Sequence, residues 1–142
     1  HLPPRLQELN LTGNMINEIE SGSVKYTSLI HLGVAYNQLN DGSLNRIVTV
    51  FPKLFCLDIS NNRLESIIMT LKSVASLPDL KMLYLIGNPV MLVPNYRQIL
   101  KTKFNKLKIL DGTPTLNEAE NTKKKKSSRV GGGANGTSML ST

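Results

Sequence analysis

Four stretches of this chain superimpose without a gap: LQELNLTGNMI from Leu6, LIHLGVAYNQL from Leu29, LFCLDISNNRL from Leu54 and LKMLYLIGNPV from Leu80. Each reads L-x-x-L-x-[LVI]-x-x-N-x-[LIV], and the copies start 23, 25 and 26 residues apart. No other feature restricts the fold so tightly. The alternation of an aliphatic with a variable residue is a short strand with one buried face, and one such strand cannot bury its leucines alone. Stacked in parallel, successive copies share a single aliphatic core, and three or more suffice. A partial fifth copy begins at Leu107, 27 residues after Leu80.

The Asn of each copy, Asn14, Asn37, Asn62 and Asn88, falls where the chain leaves the strand and turns inward. A carboxamide offers two donors and an acceptor oxygen, so a stacked column of them satisfies backbone groups that adjacent turns would otherwise bury unpaired. An ordinary turn-forming role explains one such Asn but not four in register. Between strands the chain returns along the other side. Residues 41–54 and 61–80 carry apolar side chains at helical spacing, with Asp41 and Ser66 as expected N-caps and Pro52 and Pro78 as stop signals. Ile67, Ile68, Leu71, Val74 and Leu77 are then expected in the core. The first return, NEIESGSVKYTSL, is shorter and broken by Gly22, which predicts a 3₁₀ turn or loop. The fold class is therefore α/β: a solenoid with short parallel strands on the concave face and short helices or 3₁₀ turns on the convex face.

The pattern stops at KLKILDGTPT, residues 106–115. A helix around NYRQILKTKF covers the last leucines, with Tyr96 and Phe104 buried beneath it, and Leu107 and Leu110 supply one final half-strand. Asp111, Gly112 and Pro114 then turn the chain away, Pro114 offering no donor to a further strand. This is a C-terminal cap. HLPPRLQEL at the other end shows no such device, and the solenoid is expected to continue upstream of residue 1. The domain reading is a solenoid of four repeats plus cap over 1–116, followed by a basic, Gly/Ser-rich tail over 117–142.

Composition narrows the function. His1 and His31 offer no acid–base pair, Cys56 has no second thiol for zinc or a disulfide, and GGGANG (131–136) lacks the spacing of a phosphate-binding loop. Neither enzyme activity nor a cofactor nor a bound metal is expected. No apolar run approaches the roughly 20 residues of a membrane span, so no membrane is expected among the partners. The single cysteine fits a reducing compartment, and a cytoplasmic location follows. Formal charge is +4 over residues 1–116 and +3 over 117–142. Arg97, Lys101, Lys103, Lys106 and Lys108, with Lys123, Lys124, Lys125 and Lys126 of the tail, form a basic group that predicts an acidic surface near the C-terminal end. Few aromatics accompany it, which argues against nucleic acid; the tail run also reads as a nuclear address.

With the leucines facing inward, the variable positions line the concave face in columns. They run Glu8, His31, Cys56, Met82, Ile109; then Asn10, Gly33, Asp58, Tyr84, Asp111; then Thr12, Ala35, Ser60, Ile86; then Gly13, Tyr36, Asn61, Gly87. Early repeats offer small and polar groups, whereas Met82, Tyr84 and Ile86 form an exposed apolar cluster beside Tyr36. Exposed apolar patches rimmed by polar groups mark protein partners. The expected partner-binding residues are His31, Tyr36, Cys56, Asp58, Met82, Tyr84 and Ile86.

The ending GNPVMLVPNYRQIL…LKILDGTPT carries Gly87-Asn88-Pro89, then Tyr96-Arg97, then Leu107, Leu110 and Asp111. Together with the four repeats, it resembles the SDS22-like subclass of leucine-rich repeat proteins, over about residues 1–116. The wording of this ending is most similar to ciliary and axonemal members. The resemblance implies a non-catalytic protein–protein interaction scaffold, structural or dynein- and microtubule-associated, in the cytoskeleton of the axoneme of a cilium or flagellum. Its implied partners are dynein, tubulin or another ciliary scaffold. Two other roles stay open: a nuclear ribonucleoprotein module that holds an RNA-binding protein, and a phosphatase regulatory module.

Overall fold

Each L-x-x-L window becomes a three-residue strand: β1 Glu8–Asn10, β2 His31–Gly33, β3 Cys56–Asp58 and β4 Met82–Tyr84. They pair in parallel with Leu9, Leu32, Leu57 and Leu83 in one row, so the repeats stack without slippage. The computed structural model describes residues 1–20 and 22–116. Among these, two further strands extend the sheet: β5 Ile109–Leu110, parallel to β4, and β6 Thr113–Pro114, antiparallel to β5. The tail 117–142, with Lys123, Lys124, Lys125 and Lys126, lies outside the described residues.

The returns differ in length and therefore in structure. No helix forms among the described residues of the first return. The longer ones carry α1 Asp41–Val50 and α2 Ile67–Val74, and the last carries a 3₁₀ turn Pro89–Leu92 followed by α3 Tyr96–Lys103. Ser66 caps α2, its hydroxyl accepting from Met69 N at 3.2 Å. Asp41 does not cap α1. Asn40 does, accepting from Ser43 N at 3.0 Å while the Ser43 hydroxyl accepts from Asn40 N at 3.2 Å, a reciprocal box that Asp41, already helical, is one residue too late to make. The Asp41 carboxylate instead accepts from Glu65 N and Ser66 N at 3.3 Å, tying the two helix entries together. Ile68 is not core: it is 74% exposed. The buried stripe of α2 runs through Thr70, Ser73 and Val74, which leaves Ile68 on the opposite side of a 3.6-residue period.

The core is aliphatic and continuous. Leu29, Leu39, Leu44, Ile47, Leu54, Leu57, Ile59, Leu64, Leu83, Leu85, Leu100 and Leu110 are fully buried. Polar groups inside it are held by a ladder of carboxamides. Asn62 Nδ2 donates to Val34, Ile59 and Ser60 carbonyls at 3.0–3.1 Å, and its Oδ1 accepts from Leu39 N at 2.9 Å. Asn37 reaches back to Leu11 O in the same way, and Asn88 to Ile59 O. Each buried Asn thus joins its own turn to the previous repeat. Asn14, on the first turn, is exposed and donates to Leu11 O at 2.8 Å.

The residue before each ladder Asn takes positive φ: Gly13 +74°, Tyr36 +54°, Asn61 +52° and Gly87 +76°. A left-handed residue here sharpens the turn that swings the Asn inward. At Gly87 the lack of a side chain is doubly required, because a Cβ would collide with Asn61 Oδ1.

The cap closes the stack in a way the sequence reading only half anticipates. Asp111 (φ +52°) and Gly112 (φ +78°) form a two-residue turn with both φ positive, so the chain folds back as a hairpin instead of leaving the sheet. Asp111 Oδ1 accepts from Leu85 N at 2.6 Å and Ile86 N at 2.9 Å, and Oδ2 accepts from the Tyr96 hydroxyl at 2.9 Å. In the earlier repeats the matching amides, Val34 N and Ile59 N, donate to the carbonyls of Asp58 and Tyr84. The Asp111 carboxylate therefore takes the place of the carbonyl that a complete next repeat would bring.

Candidate functional site

Strand pairing places Glu8, His31, Cys56, Met82 and Ile109 in one row and Asn10, Gly33, Asp58 and Tyr84 in the next, on the face opposite the buried leucines. The three-residue strands and tight turns make this face narrow and stepped, with one side chain per repeat in each column.

Its chemistry changes along the stack. In the first half Glu8 Oε1 lies 3.5 Å from His31 Nδ1, and the Asp58 carboxylate accepts from the Ser60 amide at 3.0 Å and hydroxyl at 2.6 Å. Asp58 is thereby held in the repeat's own turn, as Asn10 is by Thr12 N at 3.0 Å. Cys56 is half-buried, and burial, aided by the Asp58 charge, pushes its thiol above the ordinary range. That environment disfavours the reactive thiolate. In the second half Met82 and Tyr84 are half-exposed and Ile86 is 48% exposed. Tyr84 runs alongside the Asp111–Gly112 turn, with its ring 3.8 Å from where a Gly112 Cβ would sit.

Tyr36 does not stand beside that cluster. Its amide pairs with Ser60 O, and Asn61 N in turn pairs with Ile86 O, so a complete repeat lies between Tyr36 and Ile86. At the usual strand spacing this is roughly 10 Å. Tyr36 is 63% exposed, on a backbone position that elsewhere in the column is Gly or Asn. A tyrosine in the left-handed region carries strain on the order of 1 kcal/mol.

Two further apolar groups belong to this surface, and the sequence reading passed over them. Ile30 and Phe55, 36% and 40% exposed, occupy the position just before β2 and β3, and the Phe55 ring stacks at 6.0 Å on His31. The signal was available: the first variable position of L-x-x-L holds an apolar residue in these two repeats but Gln7, Lys81 and Lys108 in the others. With Thr27, Lys53 and Asp79 they line a shallow apolar hollow on the lower rim.

The basic group divides. Arg97 is not part of a solvated patch: its guanidinium donates to Leu110 O at 2.7 Å and to Thr113 O and Pro114 O at 3.1 Å, clamping the hairpin. A guanidinium carries five N–H donors in one planar fork, so a single side chain can satisfy several free carbonyls at the end of a sheet. Lys103, Lys106 and Lys108 are exposed and Lys101 is half-exposed. Tyr96, the first residue of α3, is 7% exposed, and Phe104 is half-buried against the core; Leu107 and Leu110 are buried. Burial pushes the Tyr96 phenol well above its ordinary range, and the neighbouring Asp111 carboxylate adds to this. Among the described residues no group of three or more His, Cys, Asp or Glu could hold a metal ion, and no helix is long and apolar enough to cross a membrane.

A leucine-rich repeat family model matches residues 36–135. Leucine-rich repeat-containing protein 43 of Homo sapiens is 35% identical over 114 residues, covering 78% of this chain and 17% of that protein. The probable U2 small nuclear ribonucleoprotein A' of Drosophila melanogaster is 32% identical over 139 residues, covering 77% of this chain and 49% of that protein. A dynein axonemal assembly factor 1 homolog of Drosophila pseudoobscura pseudoobscura is 35% identical over 86 residues, covering 60% of this chain and 5% of that protein. This chain therefore spans less than half the length of each of these relatives.

Proposed function

Because this chain belongs to the leucine-rich repeat family, we propose that it is a non-catalytic scaffold that holds a protein partner against its concave face and works at the axoneme of a cilium or flagellum. A dynein-related, tubulin or other axonemal protein is the partner class. Dynein-related partners are suggested by the kinship to a dynein axonemal assembly factor homolog and by the resemblance of the cap wording to axonemal members of the family.

Tyr36 is the observation that carries the binding role. The fold gains nothing from an exposed aromatic ring at a position that Gly or Asn fills without strain. Tyrosine supplies a large contact area with little entropy to lose, which is why it concentrates at recognition sites. Tyr36 on the upper rim, Met82, Tyr84 and Ile86 on the second half, and His31 on Phe55 at the lower rim bracket a polar floor of Cys56, Asp58 and Ser60. An extended segment or a helix laid across the stack would touch all three edges.

The kinship to a U2 small nuclear ribonucleoprotein A' supports a second reading, in which the same face holds a ribonucleoprotein component in the nucleus. Affinity capture with the full chain from ciliated and non-ciliated cells, analysed by mass spectrometry, separates the two. Enrichment of axonemal proteins from ciliated cells alone is expected. Recovery of small nuclear ribonucleoprotein components from both cell types would transfer the role to the nucleus. Tyr36→Asn in the same assay should lose the partner while raising stability by about 1 kcal/mol; retained capture would remove the concave face from the account.

A further inference from the structure

From Leu80 to Leu110 the chain carries six basic residues and no Asp or Glu. Arg97 is occupied by cap carbonyls. The exposed lysines gather at the lower corner of the capped end. Lys108 N donates to Lys81 O at 2.8 Å, which places these two residues side by side below β4 and β5. Lys103 and Lys106 flank a groove of about 310 Å³ between the end of α2 and the loop after α3. Its accessible apolar surface comes from Ala75, Pro78 and Phe104, over a floor of the buried Val74 and Leu77. Among the described residues none that lines it is acidic, and the nearest of these acids in sequence, Asp79, is turned toward Lys53 at 4.0 Å.

We propose that this groove is a second docking site, separate from the concave face, for an acidic protein segment that carries one large apolar side chain. The apolar walls admit a leucine- or phenylalanine-sized group, and the lysines on the rim attract carboxylates on either side of it. Charge of one sign around an apolar floor commits the site to an anionic amphipathic ligand. Nucleic acid fits less well, because its bases need exposed flat rings to stack on. Tyr96 is buried and Phe104 is half-buried at this end.

The test is fluorescence titration of the full chain with a short labelled glutamate-rich peptide containing a central Leu-Phe pair. The expected result is saturable binding that weakens with added salt and falls about tenfold in the double variant Lys103→Glu/Lys106→Glu. That variant keeps the basic tail, so the loss reports the groove. A peptide with Leu-Phe replaced by Ser-Ser should bind at least about fivefold more weakly, since the apolar anchor is gone. Tyr36→Asn should leave this binding unchanged, which separates its failure from failure of the concave-face reading. No binding, equal binding by the double variant, equal binding by the Ser-Ser peptide, or tighter binding of an oligouridine RNA would each overturn the proposal.

Discussion

Leu9 and Leu110 hold the same place in the repeat, one strand row apart from identical neighbours, yet Leu110 is fully buried and Leu9 only half-buried. The same holds along the first copy. Leu6, Leu11 and Ile16 are half-buried where Leu29, Val34 and Leu39 are at 0% exposure. The motif residues are equivalent, so the motif does not set their burial. Position in the stack does: among the described residues β1 pairs with β2 alone, whereas β5 lies between β4 and the returning β6. Stability in such a stack is a sum of repeat and neighbour terms, and the capped end collects more of the neighbour terms.

The largest test of that contrast is a pair of truncations. Leu110→Ala should cost about 4 kcal/mol in denaturant unfolding, and Leu9→Ala about 1–2 kcal/mol; equal losses would mean that the two ends are alike. Next comes Asp111→Ala. It leaves the Leu85 and Ile86 amides and the Tyr96 hydroxyl without their acceptor and should cost about 2–3 kcal/mol by the same measurement. The ladder gives a sharper version within one residue type. Asn62→Ala should destabilise by about 2 kcal/mol, because four buried bonds go, and Asn14→Ala by less than about 0.5 kcal/mol. A loss at Asn14 matching that at Asn62 would refute the argument from stacking.

The smallest effect is a pH dependence. Tyr96 titrates above its ordinary range when folded, so its contribution is fully present below the unfolded phenol value near 10 and is lost as pH rises beyond it. Tyr96→Phe lacks that group. The stability gap between parent and variant should therefore narrow above about pH 10, and a gap constant up to strongly alkaline pH would show that the hydroxyl plays no part.

How much of this was legible can be read residue by residue. The L-x-x-L windows gave strand positions and pairing register, because an aliphatic period of two with one buried face allows no slippage. The left-handed column was half visible in Gly13, Asn61 and Gly87, but Tyr36 concealed it, since nothing local marks a tyrosine for positive φ. Asp111-Gly112 carried a readable hairpin signal; taken only as an interruption, it hid β6. Arg97 looked like one more surface charge, because sequence proximity to lysines says nothing about the carbonyls a hairpin brings near. The α1 cap was missed by a single position, Asn40 for Asp41, and Ile68 was counted as core because its neighbours are apolar although it lies opposite the buried stripe of α2. Ile30 and Phe55 sit one residue before the alternating strand positions, outside the period-of-two pattern that marks the concave face.

On the function proposed above, the second half of the concave face, together with Tyr36, serves recognition and not the support of the fold. The most direct test of this role is the triple variant Met82→Ser/Tyr84→Ser/Ile86→Ser, measured for affinity toward the captured partner and for its unfolding midpoint in parallel. The account predicts loss of binding with a folded, cooperatively melting chain. Unchanged affinity in a folded variant would contradict it.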